Sequence, residues 1–241
     1  RFDAGADADR DTTIEVLYAT NRLPVGAGNA RHYTRARSDQ LRLGVATLRV
    51  GDGATSWESL YAMSTNVVEG ERPAITLQSV REMAVLGDGT QEPGADAQAF
   101  VAHLDELLQR GGSRDLLIYV HGANTDFDRA AAQAAQFQHF LGRDAVVIVF
   151  SWPSAGTILR YGRDVGTARR SEPTFARALE LLSTHTGVGH VNLLAYSAGA
   201  MIASPGLARA AANAVDADHL RLGEIYYAAP DIDFPAFVDN L

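Results

Sequence analysis

The chain has 241 residues, carries 21 Lys+Arg against 29 Asp+Glu for a formal net charge of −8, and contains no cysteine. Disulfides, thiolate nucleophiles, Cys-ligated zinc and iron–sulfur clusters are therefore excluded within this sequence. Every one of the 21 cationic side chains is Arg, which excludes a Schiff-base lysine, a Ser–Lys dyad and a phosphate-loop lysine. The acidic balance, with no basic stripe to offset it, argues against nucleic acid as a partner, because duplex binding is driven by basic groups displacing counterions.

The polar, Asp-rich start at Arg1–Arg10 reads as a processing, cloning or proteolysis product, and localisation stays open. Residues 14–19 are rich in β-branched and aromatic types and predict a strand, followed by Thr20-Asn21-Arg22 and a turn-rich stretch at 24–29. A second strand is predicted at 41–50, closed by the turn signal Gly51-Asp52-Gly53. A third strand is expected at 74–80, and a polar loop at 87–94.

From Asp96 the pattern alternates between helix and strand. Helical spacing of Phe100, Val101, Leu104, Leu107 and Leu108 predicts a helix over 97–110, stopped by Gly111-Gly112. Strands follow at 116–120, 145–150, 191–195 and 222–229. Helices are predicted at 127–141, at 174–182 with Pro173 in the first turn, and at 198–215 with a bend at Pro205. Short continuous apolar strands alternating with helices predict an α/β fold, a mostly parallel sheet with helices on both faces and ligands at the carboxyl ends of its strands. The longest apolar runs fall far short of the roughly 20 residues that span a bilayer, so no transmembrane span is expected. Residues 1–95 read as an N-terminal β extension carrying the first strands, and 96–241 as the core, in one structural domain.

The segment Ala195-Tyr196-Ser197-Ala198-Gly199 runs from a buried strand straight into a small-residue helix. That is the setting of a nucleophile elbow, whose turn is so tight that the positions two away from the nucleophile must be small, here Ala195 and Gly199. Ser is also a favoured helix cap, so the strand and helix around Ser197 are what favour the nucleophile. Upstream, the strand at 116–120 ends in His121-Gly122-Ala123-Asn124. Acyl transfer needs two backbone N–H groups aimed at the developing oxyanion, one after the nucleophile and one from an earlier strand's loop. Ala198 and Ala123 fit those roles, while His121 reads as a loop-orienting residue bonded to backbone rather than a base. Asn124, Asp126 and Asp128 have turn and cap readings. Trp152, in Phe150-Ser151-Trp152-Pro153-Ser154, reads either as a pocket wall with His121 and Tyr196 or as a buried plug. Asp231 and Asp233, after the last strand, are candidates for the triad acid or for caps.

Taken together, Tyr18-Ala19-Thr20-Asn21-Arg22, His121-Gly122-Ala123-Asn124 with Phe127, Phe150-Ser151-Trp152-Pro153-Ser154, the Ser197 elbow and Ala229-Pro230-Asp231-Ile232-Asp233 resemble the alpha/beta-hydrolase superfamily. Within it, they are similar to a bacterial, esterase- or lipase-like subfamily that is a domain of unknown function. The resemblance implies an eight-stranded type of hydrolase sheet, a Ser nucleophile, no metal or organic cofactor, and a small ester as substrate. It also implies a further strand and a loop with the catalytic His beyond the Ala-Pro-Asp-Ile-Asp segment, whereas this sequence ends at Leu241. Of the seven His, only His121 lies near the expected edge, so the base is expected from a missing C-terminal fragment of the same protein. The leading expectation is a carboxylic ester hydrolase. The alternatives are a non-catalytic hydrolase-fold binding protein and acyl transfer to an acceptor other than water.

Overall fold

The computed structural model describes residues 12–52, 54–65, 73–87, 93–141, 145–155, 161–214 and 217–240. The polar start at Arg1–Arg10 lies outside them, as do Gly53 and the larger part of the loop expected at 87–94.

Seven strands form one sheet in the order β3-β2-β1-β5-β4-β6-β7. They are β1 (Thr13–Val25), β2 (His32–Val50), β3 (Ile75–Leu86), β4 (Asp115–Val120), β5 (Val146–Ser151), β6 (His190–Tyr196) and β7 (Leu222–Ala228). β1, β5, β4, β6 and β7 run parallel, and β2 and β3 add antiparallel pairs at one side. The sheet is thus mostly parallel and clothed by helices, as expected. Among the described residues it has seven strands, one fewer than the resemblance implies.

Alternation along the central strands sorts side chains onto two faces. Leu116, Ile118 and Val120 of β4, with Val146, Ile148 and Phe150 of β5, pack in a core with α2 (Ala95–Arg110), α4 (Tyr161–His185) and α5 (Ala200–Asn213). Tyr119, Val147 and Val149 point the other way, onto α3 (Phe127–Phe140) and Leu60 of α1 (Trp57–Thr65). This double burial is why the strands read as unbroken apolar runs.

Several elements differ from their expected bounds. β1 continues through Thr20-Asn21-Arg22 to Val25, pairing Arg22 with Arg37 and Val25 with His32, so the strand is longer than expected while the chain still turns within the expected stretch, at Gly26 (φ 78°) and Gly28 (φ 54°). Pro24 is accommodated beside a register shift, where a missing N–H interrupts no regular ladder. α4 starts at Tyr161, and Pro173 lies inside it rather than in its first turn. The early half of this helix buries the polar Asp164, Thr167 and Ser171, so it shows no apolar stripe to read. The helix after β6 starts as a 3-10 turn at Ser197–Gly199 and ends at Asn213, with Pro205 inside it. α1 and the short α6 (Phe234–Asp239) were not expected. Among the described residues no helix is long and apolar enough to cross a membrane.

Candidate functional site

Strand register brings the chemistry-bearing segments to one edge. Thr20 pairs with Ser151, Phe150 with Val120, Val120 with Ala195, and Tyr196 with Ala228. The residues just past these pairs are Asn21-Arg22, Trp152, His121–Asn124, Ser197 and Ala229–Asp231, so five strands deliver their carboxyl ends to a common line.

Ser197 stands at the sharpest point of that line. Its φ is 50°, a left-handed backbone that costs a non-glycine residue of order 1 kcal/mol or more and persists only where the surroundings over-determine it. The surroundings here are close-packed backbone. A Cβ on Gly199 would sit 2.5 Å from the Val120 carbonyl oxygen and 2.8 Å from that of His121, so only glycine lets the helix start press against the end of β4. A Cβ on Gly122 would meet Tyr196 at 3.0 Å and Ser197 Cβ at 3.1 Å, which puts the β4–α3 loop directly on the elbow. From the other side, Asp231 N–H donates to the Ser197 carbonyl at 3.1 Å. Asn124 (φ 55°) and Ala229 (φ 45°) are also left-handed, at the ends of β4 and β7. Strain of this kind concentrates where geometry serves a function.

Ser197 is partly exposed, Ala198 is buried at the first turn of the helix, and Ala123 is half-buried in the facing loop. N–H groups in the first turn of a helix have no partner within it and point forward, which suits Ala198 to face an anion. Tyr196, next to Ser197, is 46% exposed, whereas His121 and Trp152 have no exposed surface. They form the layer beneath. Their rings stack at 5.3 Å and 9°, and Trp152 Nε1 donates to the His121 carbonyl at 2.7 Å. Of the two readings of Trp152, this geometry is that of the buried plug, since an indole with its N–H satisfied and no surface offers a ligand nothing.

His121 Nδ1 donates to the Gly122 carbonyl at 2.7 Å, which leaves Nε2 as the acceptor side, 3.5 Å from Arg22 Nη2. Burial, reinforced by the Arg22 charge, lowers its pKa to about 3. The ring is neutral and both nitrogens are engaged away from Ser197. The other His lie elsewhere. His103, His139 and His185 are on helices, and His190 and His219 lie at or before the amino ends of β6 and β7. His32 heads β2 at the candidate edge rather than ahead of the sheet, but β2 is four strand spacings from β6, about 19 Å.

Arg22 adjoins these segments, although the sequence pattern does not mark it as a site residue. Its side chain is fully buried. Nε donates to Ser151 Oγ at 2.9 Å, Nη1 to the Thr34 carbonyl at 3.3 Å and Nη2 to the Thr125 carbonyl at 2.8 Å. Burial lowers its pKa to about 9. Around it, Thr20 Oγ1 donates to the Ser151 carbonyl at 2.5 Å and Asn21 Nδ2 to Ser171 Oγ at 2.9 Å. Ser154 Oγ accepts from Thr125 N–H at 3.1 Å and donates to Asp164. Asp126 caps α3 by accepting from Arg129 N–H. Three consecutive polar residues within one strand were the available signal, since burying such a run calls for hydrogen-bond partners, which Asn21 Oδ1 alone among their buried side-chain polar atoms lacks in the described residues.

No group of three or more His, Asp or Glu that could hold a metal ion occurs among the described residues. Searches of curated proteins and of solved structures found no match. A family model described as "Alpha/beta hydrolase of unknown function (DUF900)" matches residues 96–241, the stretch holding the β4 loop, the Ser197 elbow and the β7 end. The chain belongs to this family of alpha/beta hydrolases.

Proposed function

We propose that the protein is a serine hydrolase acting on carboxylic esters, with Ser197 as nucleophile. Ser197 Oγ attacks the acyl carbon, the carbonyl electron pair moves onto oxygen, and the N–H groups of Ala123 and Ala198 stabilise that oxyanion. The serine proton passes to an imidazole base from outside the described residues, oriented by Asp231, and then to the departing alcohol. Water repeats the sequence on the acyl-enzyme. The observation that supports this reading is the left-handed Ser197 at a strand-to-helix turn, held against a loop with a second N–H donor.

The engagement of His121 by Gly122 and Arg22 favours a second reading, a hydrolase-fold protein that binds a ligand without turning it over. A fluorophosphonate probe, which reacts only with an activated serine, separates the two. The first reading expects one adduct by intact mass, located at Ser197 and absent from Ser197→Ala. Equal, background labelling of both proteins overturns it and leaves the binding reading.

A further inference from the structure

We propose that Arg22 is a positioning residue for the oxyanion-side loop, its buried guanidinium fixing the segment from His121 to Thr125 so that the Ala123 N–H faces Ser197. The inference rests on the Ser197 reading above for its chemistry but not for its geometry.

Leaving a guanidinium in a protein interior is unfavourable, and Arg22 has no carboxylate among its hydrogen-bond partners in the described residues; Asp126, Asp128 and Asp164 act on it only at longer range. A buried cation kept without a contacting anion calls for a task that an apolar side chain cannot do. The fork of planar donors makes three bonds on three different segments: Ser151 at the end of β5, Thr34 on β2, and Thr125 after β4. Its fourth contact is the His121 ring, at 3.5 Å.

The two contacts on the β4–α3 loop fall on either side of Ala123. His121 is held by its ring from Arg22 and by its carbonyl from Trp152, while Thr125 is held by its carbonyl from Arg22 and by its N–H from Ser154. Between these anchors Asn124 takes its left-handed conformation, and Gly122 lies against Ser197. A short loop pinned at both ends, with a strained residue between, has one orientation for the peptide before Ala123. Arg22 comes from β1, outside the stretch matched by the family, and reaches the loop from beneath.

The test uses Arg22→Lys, which keeps the charge but loses the fork, and Ser151→Ala, which removes one acceptor from Nε. Fluorophosphonate labelling of Ser197 is resolved into a maximal rate and a half-saturating concentration, and hydrogen exchange is followed in the peptide covering 121–126. Positioning predicts that Arg22→Lys lowers the maximal rate about 100-fold with half-saturation unchanged, since misplacement by an ångström has that scale. Exchange in 121–126 rises about tenfold, with β5 and β6 unchanged. Ser151→Ala moves both in the same direction by less. A folded Arg22→Lys with wild-type labelling and loop exchange overturns the proposal. If Arg22→Lys does not fold, wild-type values in Ser151→Ala overturn it. If the unmodified protein labels no faster than Ser197→Ala, the serine-hydrolase reading fails instead, and loop exchange alone decides the role of Arg22.

Discussion

At the scale of single residues, the buried imidazole of His121 ties folding to pH. Its pKa falls from 6.5 toward about 3 because burial penalises the charged ring and Arg22 repels it. In the unfolded chain the ring takes up a proton near 6.5, while in the folded protein it resists down to about 3. The unfolded state therefore binds more protons across that window, so stability is full above pH 6.5 and is lost as pH falls toward 3. Between pH 7 and 4.5 this one group removes about 2–3 kcal/mol. The Asp128 carboxyl, raised chiefly by desolvation, gains a proton more readily when folded and so opposes the trend slightly. His121→Gln isolates the effect. Urea unfolding at the two pH values should show a drop in wild type that is largely absent in the variant, and parallel drops in both would assign the acid sensitivity to other groups.

At the scale of elements, the joint between β6 and its helix is set by contact more than by propensity. Gly199 has helical dihedrals (φ −60°, ψ −27°), and Ala there would gain about 1 kcal/mol in helix propensity. Its Cβ, however, would fall 2.5 Å and 2.8 Å from two backbone oxygens that cannot swing aside. Overpacking costs typically 1–3 kcal/mol, and rigid neighbours place this case at the upper end, so Gly199→Ala should lose about 2 kcal/mol net. Gly122→Ala meets the exposed Tyr196 ring, which can turn, and Ser197 Cβ at 3.1 Å, which has to give by only a few tenths of an ångström, so it should lose less than Gly199→Ala, about 1 kcal/mol, while slowing Ser197 labelling. Denaturant midpoints for the two variants check this order. The same joint shows why parts of the chain were readable from sequence. Ala195, Ser197 and Gly199 combine a size rule with a buried strand, and both signals are local. The polar half of α4 and the extension of β1 through Arg22 offer polar runs but no local size rule to interpret them, because their burial depends on partners distant in sequence: Asn21 with Ser171, Arg22 with Ser151 and Thr125. No residue of the sequence read as a base for the proposed nucleophile either, and the His121 imidazole at the elbow is committed to backbone and to Arg22.

At the scale of the whole molecule, the two edges of the sheet are unequal. β3 alternates, burying Val80, Ala84 and Leu86, and Ala84 and Leu86 pack in the core that α2 joins. β7 buries no residue fully: Leu222, Ile225 and Tyr226 are 36%, 38% and 55% exposed. Beside it, on the α3 side, lies an apolar groove of about 890 Å³ lined by Phe137, Phe140, Leu194, Ile225 and Tyr226. An unpaired edge with a wet face opens more easily than one sheltered by helices, since local opening is resisted mainly by buried apolar contact. Hydrogen exchange followed by mass spectrometry should therefore rank the strands, with β7 exchanging first, β3 next, and β4, β5 and β6 last. Ser197 would then sit at the boundary between the slow centre and the fast edge, its carbonyl tied to Asp231 across that boundary. Protection of β7 equal to that of β6 would mean that its face and edge are covered in solution, on the side of the sheet that carries the elbow.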